Sequence, residues 1–265
     1  MADETGISWT DHTFNPWWGC SRVAPGCDNC YAAALDKRTG GAHWDNLSIK
    51  PRLTKDANWR KPLKWNKDAA AIGQRRRVFC GSMMDWTDKN APEGALDRLW
   101  ELIRKTPWLD WQLLTKRATL IKKRLPVDWG FGYENVWLGV TCENIQHGIP
   151  RVHALQEIPA IVRFVSAEPL LEEITSNNFV GFTDKSKPYG IDWIIIGGES
   201  GPDCRPMKRE WVHRLLMWTN WNEVPVWFKQ WGGNSKDKGG CNYGGSEIKE
   251  WPVTCLPITP QQELL

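Results

Sequence analysis

A full or partial TIM-type (β/α) barrel with six or seven parallel strands is the α/β fold this sequence predicts. Three observations predict it. Short apolar runs alternate along the chain with segments of helical periodicity, the pattern of parallel strands joined by helical crossovers. Polar residues gather immediately after the apolar runs. A loop carrying three cysteines follows the first run. In a barrel, residues that follow the strands collect at the C-terminal mouth, where active sites sit.

The elements follow in order. Thr13 to Trp18 is the first expected strand, and Ala32 to Arg38 starts a helix after the cysteines. Arg77 to Ser82 is a short apolar strand bounded by turn residues. Leu96, Leu99, Trp100 and Ile103 recur at helical spacing. Trp111 to Thr115 is the third strand, with a short helix over Leu120 to Leu125. Asn135 to Val140 is the fourth, followed by a helix around Pro150 to Gln156. Ile161 to Ser166 and Asp192 to Gly197 are the next strands, the second apolar enough to need burial on both faces. A helix over Trp211 to Trp218 and a strand over Val224 to Lys229 close the series. The 265 residues suffice for one large domain. The expectation is a single barrel domain over 1–265, with a basic insertion at about 48–77 and an irregular C-terminal cap from about 232.

Composition narrows the class. No apolar run approaches a membrane span. Met1 to Gly6 has neither the basic region nor the apolar core of a secretory signal. Eight unevenly placed cysteines do not make a secreted disulfide scaffold of this size. The expected setting is reducing and cytoplasmic, with no membrane partner. The net charge of +3 hides an asymmetry: residues 48–77 carry ten Lys or Arg against Asp56 and Asp68. Trp59 and Trp65 are interleaved with those cations, a pairing suited to phosphate attraction and base stacking. The segment is therefore a candidate nucleic-acid or nucleotide surface. The rival reading is a solvated cover whose tryptophans pack inward. Most of the nineteen tryptophans must be structural, because so large an apolar body needs burial.

The chemistry centres on Cys20, Cys27 and Cys30, spaced C-x6-C-x2-C within eleven residues. Pro25 and Gly26 mark a turn just before the second cysteine. Such a loop can aim three thiolates at one point and leave a metal position open. Zinc takes four protein ligands when structural, and three plus water when catalytic. An iron–sulfur cubane is held by cysteine thiolates, normally four. Cys80 and Cys142, each at or just beyond a strand end, are candidates to complete a four-thiolate site. Three unrelated buried thiols are the packing alternative.

The wider pattern resembles a known family. Trp9-Thr10-Asp11, Phe14 to Cys20 and Pro25 to Tyr31 carry the likeness. It continues through Ser82-Met83-Met84-Asp85, Leu138-Gly139-Val140, Ser166 to Leu171, Gly197 to Gly201 and Phe228 to Gly232. As an ordered set these resemble the phage-associated three-Cys-motif proteins, which are radical-SAM-like, of unassigned substrate and distantly similar to spore photoproduct lyase. The spacing departs from the commonest radical-SAM pattern, C-x3-C-x2-C, and Asn29 stands where an aromatic is usual.

The resemblance implies a [4Fe-4S] cluster on the three cysteines, with S-adenosylmethionine chelating the open iron. Its reductive cleavage would give a 5′-deoxyadenosyl radical, with an electron donor and a separately encoded partner protein as further expectations. Candidate contacts come from the mouth. Asp85 and Glu199 suit the cofactor's ammonium, and Lys116 its carboxylate. Glu143 and Asn144 suit the ribose, and Tyr31 flanks the adenine. Ser82 and Glu168 complete the cofactor-binding set. Each has a structural rival: Asp85 as a helix cap, Glu168 as the partner of Arg163 or Lys116, and Gly197-Gly198 as a turn. From another class, the competing function is a zinc-stabilised nucleic-acid-binding module without catalysis.

Overall fold

The structure is a computed structural model and describes residues 5–46, 48–174 and 188–253. Within them lies a seven-stranded sheet of parallel strands ordered as in the chain. Its strands are β1 (His12–Phe14), β2 (Arg76–Cys80), β3 (Leu109–Thr115), β4 (Val136–Thr141), β5 (Val162–Ala167), β6 (Trp193–Gly197) and β7 (Val226–Gln230). The helices are α1 (Tyr31–Arg38), α2 (Asp56–Trp59), α3 (Lys61–Ala71), α4 (Ala95–Arg104), α5 (Ile121–Arg124), α6 (Ile145–Leu155) and α7 (Arg209–Trp221). β1 pairs with β2, and β7 with β6, so the sheet is a partial barrel and not a closed one.

Strong curling is visible in the packing. Phe79 on β2 and Trp193 on β6 stand four strand spacings apart, about 19 Å on a flat sheet. Both nevertheless meet the ring of Trp9, at centroid distances of 4.6 and 6.2 Å. Trp137, Phe164, Ile195 and Trp227 fill the same concave interior. Gly139 on β4 leaves room for the Phe164 ring, which a Cβ would meet at 2.3 Å. The opposite faces of the strands, including Val78, Trp111, Leu138, Val165 and Ile194, pack into a second apolar layer with α4, α6 and α7 residues. Strand residues are thus buried on both faces, as the apolar runs require.

Several boundaries differ from expectation. The first strand stops at Phe14. Pro16 lacks the amide a ladder needs, and Trp17–Trp18 turns instead to pair antiparallel with Arg52–Leu53. α6 begins five residues before Pro150, because the Asn144 side chain accepts from the His147 amide and starts the helix there. The cap from 232 contains a small antiparallel ribbon, Asn242–Tyr243 with Ser246–Glu247. Its last part, including Cys255, lies outside the described residues.

The largest correction concerns residues 48–77. They are the first crossover, carrying α2 and α3, and, as in the rival reading, their tryptophans pack inward beneath mostly exposed lysines and arginines over residues 50–67. Trp59 and Trp65 are only 4% and 5% exposed. Trp59 meets Phe14 edge-on at 5.4 Å, and Trp65 stacks on His12 at 4.3 Å. Neither indole is open to a nucleic-acid base. Arg75 donates to Asp110, and Arg77 to Asp11. Arg77 also lies 3.6 Å over the Trp251 ring. These arginines occupy the N-terminal end of β2, opposite the mouth.

Replacing Trp59 or Trp65 with Ala should therefore destabilise the fold by about 3–5 kcal/mol, as for other buried large aromatics. Urea unfolding measures this. An unchanged midpoint would return both residues to the surface.

Candidate active site at the barrel mouth

The C-terminal ends of the strands surround a cavity of about 950 Å³. Cys20, Cys27 and Cys30 all line it. So do Tyr31, Ser82, Asp85, Lys116, Glu168 and Glu199. Glu143 and Asn144 do not.

Local backbone constraints shape the cysteine loop. Gly19 has φ of +125°, and a Cβ there would meet the His43 carbonyl oxygen at 2.8 Å. That freedom lets the chain turn so that the Cys20 amide donates to the His43 carbonyl. Pro25–Cys27 forms one 3₁₀ turn, and Cys30 is the last residue before α1.

A clamp from the loop after β6 holds the far side. Arg205 donates to the carbonyl of Pro25 at 2.9 Å and to Asp28 at 3.3 Å. It also donates to both oxygens of Glu199. Asn29 Nδ2, between the last two cysteines, donates to Glu199 Oε2 at 2.9 Å and to the carbonyl of Asp203 at 2.7 Å. Burial works against ionisation of Glu199, but the Arg205 hydrogen bonds outweigh it and hold the carboxyl below its ordinary 4.5. Arg205 carries no periodicity signal, and sequence reasoning missed it.

A buried network orders the opposite side. Asp85 Oδ1 accepts from the Thr87 amide and from the hydroxyls of Thr87 and Thr115. Its Oδ2 accepts from the Lys116 amide and from Arg117 Nη1 at 2.8 Å. Arg117 also donates to the Ser21 carbonyl and hydroxyl at 2.7 Å, and pairs with Asp88 at 3.0 Å. Its Nη1 lies 3.6 Å from Cys20 Sγ. Burial, then the neighbouring Asp85, pushes the Cys20 thiol up to about 12, with Arg117 acting the other way. Arg117 was the other missed residue; its signal was its place one step beyond Lys116 after the third strand.

Several expected roles change. Asp85 is saturated by protein donors, so it has no oxygen free for a cofactor ammonium, and it caps no helix. Glu199 is taken by the clamp. Glu143 is fully buried and paired with Arg151 at 2.6 Å, away from the cavity; its side chain backs the loop at Gly26. Asn144 is spent on capping α6. Glu168 pairs with Lys229 at 2.8 Å, and not with Arg163 or Lys116. Among the described residues, Lys116 Nζ reaches Thr141 Oγ1, at 3.3 Å. Tyr31 donates to the Ser82 carbonyl at 2.9 Å and remains 56% exposed, so its ring faces the opening. Gly197 and Gly198 permit close approach: a Cβ would meet Glu168 Oε1 at 2.7 Å and the Trp231 carbonyl oxygen at 1.8 Å.

Cys80 and Cys142 are fully buried in the apolar layer between sheet and helices, and burial raises both thiols. Neither reaches the mouth to complete a four-thiolate site. Among the described residues, no three His, Cys, Asp or Glu side chains are arranged to hold a metal ion. A single zinc would draw its sulfurs to about 2.3 Å from one point. The three thiols of the loop instead line a roomy cavity.

Fold and mouth together define a half-open (β/α) barrel protein with a three-thiol loop. Residues 4–252 match the family described as "Protein of unknown function (DUF5131)", and the chain belongs to it. No curated protein and no solved structure matches. Among the described residues, no helix is long and apolar enough to cross a membrane.

The clamp predicts an acid sensitivity. With the Glu199 carboxyl depressed on folding, its stabilisation is fully present above its unfolded value. It is lost as pH falls through the folded value, because the unfolded chain then binds more protons. Urea unfolding between about pH 3 and 6, the carboxylate range, should show that slope, and Glu199→Gln should reduce it. A variant with the wild-type slope would remove Glu199 as its source.

Proposed function

We propose that the protein is a radical S-adenosylmethionine enzyme whose cluster is held by Cys20, Cys27 and Cys30. One observation carries this reading: three thiols from one short loop line a single large cavity at the mouth. When bound, a [4Fe-4S] cluster with one open iron supplies the electron that cleaves S-adenosylmethionine to a 5′-deoxyadenosyl radical.

The chain's own residues bind, orient and shield. Lys116, with no carboxylate partner among the described residues, would take the cofactor carboxylate. With Asp85 and Glu199 engaged, the ammonium falls to Glu168 Oε2, which among the described residues accepts only a 3.4 Å bond from Ser166 while Oε1 holds Lys229. Tyr31 supplies an open ring for the adenine, and the Ser82 hydroxyl lies close by. Arg117 sets the electrostatics of Cys20, because a hydrogen bond to a ligand sulfur favours the reduced, more negative cluster. The glutamate–arginine clamp fixes the second half of the loop. An external electron donor is required, and a nucleic acid or nucleotide is the substrate class proposed.

Anaerobic reconstitution tests this. The protein should take up iron and sulfide, turn brown and release 5′-deoxyadenosine when reduced with the cofactor. Replacing all three cysteines with Ala should abolish iron uptake, whereas Cys204→Ala and Cys255→Ala should leave it intact. Full iron content in the triple variant would sink the assignment. A colourless protein that retains zinc would move the function to the non-catalytic binding module.

Arg117→Leu should keep the cluster but make it harder to reduce, with a lower midpoint potential in an EPR-monitored redox titration. An unchanged potential would show that Arg117 only holds the loop.

A further inference from the structure

Charge is unevenly matched across the mouth. Its carboxylates are engaged: Asp85 by Arg117, Glu168 by Lys229, Glu199 by Arg205. Asp45 accepts from the Arg22 amide. On the cationic side, Lys116, Lys236 and Lys238 line the cavity with no carboxylate partner among the described residues. Lys236 and Lys238 come from the loop after β7, on the rim that also carries Lys229.

This loop is built, not frayed. The Gly232 amide donates to the Lys238 carbonyl at 2.8 Å, and the Lys238 amide to the Ser235 carbonyl at 3.0 Å. The Trp231 amide donates to the Gly240 carbonyl at 3.0 Å. Ser235 and Asp237 bridge inside the turn. Lys238 itself sits at φ +52°, in the left-handed region, next to Gly239 and Gly240 at +77°. A side chain is disfavoured there, and glycine would be easier. Backbone held in such a region, over-determined by its surroundings, is a signature of functional sites. The Lys238 ammonium is pulled below its ordinary value, first by burial and then by the neighbouring Lys229. Glu168 acts the other way, and a bound anion would add to its effect. Across the same cavity, Trp18, Tyr31 and Trp44 present partly open aromatic faces. Such faces stack planar bases in a sequence-tolerant way.

We propose that Lys236 and Lys238 form an anion subsite that receives the phosphate of a nucleotide substrate, free or within a single strand. The proposal rests on the mouth being the reaction site, as above. It moves the phosphate-binding role from residues 48–77 to the rim, because the arginines at 75–77 are paired at the other end of the barrel. A base undergoing chemistry must be unstacked or single-stranded, and its phosphate then has to be held at the rim of the pocket.

Calorimetry on the full chain without cluster tests it. The ligands are the four nucleoside 5′-monophosphates, the four nucleosides and a short mixed-sequence single-stranded oligodeoxynucleotide, each at low and moderate salt. At least one monophosphate should bind about tenfold more tightly than its nucleoside, the scale of a hydrogen bond between charged groups. Lys236→Gln combined with Lys238→Gln should erase that difference and flatten the salt dependence. Lys105→Gln, at a surface pair with Glu101 on α4, should not. Tighter, more salt-sensitive binding of the oligonucleotide that is lost in the double variant would assign the subsite to nucleic acid; a preference for the monophosphate would assign it to a free nucleotide. Equal binding of nucleotide and nucleoside, no binding of any ligand, or full phosphate discrimination in the double variant would overturn the proposal. Because no cluster is used, these outcomes are independent of the iron and cofactor tests.

Discussion

The mouth depends on the buried ion pair between Asp85 and Arg117. Asp85 stands just beyond β2 and Arg117 just beyond β3, so the pair ties neighbouring strand ends together. Arg117 then reaches across to Ser21 and Cys20. Two charges this far from water are costly to bury, and removing one partner would leave the other uncompensated. The surrounding hydroxyls and amides satisfy the remaining valences of Asp85. The result is a rigid shelf on which the first cysteine rests. Glu199 and Arg205 do the same for the last two cysteines from the other side of the barrel.

This arrangement divides the charged residues of the mouth into two groups. Asp85, Arg117, Glu199 and Arg205 hold protein to protein. Lys116, Lys236, Lys238 and the edge of the Glu168–Lys229 pair are left to face whatever enters. A cavity whose carboxylates are engaged and three of whose lysines have no carboxylate partner among the described residues is biased toward anions. Both parts of the proposed chemistry use that bias, at Lys116 for a carboxylate and at the rim for a phosphate.

Tryptophan gives the barrel its shape. A half-open sheet has no closing strand, so its interior must be filled from elsewhere. Trp9 enters from the N-terminal segment and Trp251 from the C-terminal one. Trp251 meets Trp193 and Trp227 at tilted ring contacts and carries Arg77 on its face. Segments far apart in the chain thus plug the bottom, while the top stays open as the cavity. The same economy explains Trp59 and Trp65, which seal the outside of β1.

Periodicity alone determined the parallel strand order, most helix positions and the mouth to which Cys20, Cys27 and Cys30 belong. Apolar runs bounded by turns leave few ways to bury a strand on both faces, and a loop after a parallel strand opens at only one end. Tertiary structure decided what each charged residue does. A polar side chain in the sequence reads alike whether it meets a ligand, as proposed for Glu168, an arginine, as for Glu143, or a helix terminus, as Asn144 does. The same holds for the cations of 48–77. Their sequence density resembles a nucleic-acid surface, yet the pairing of Arg75, Arg76 and Arg77 with Asp110 and Asp11 and the burial of Trp59 and Trp65 depend on partners brought near only by folding. Charge pairing and burial are set by distances across the chain, which local pattern does not encode.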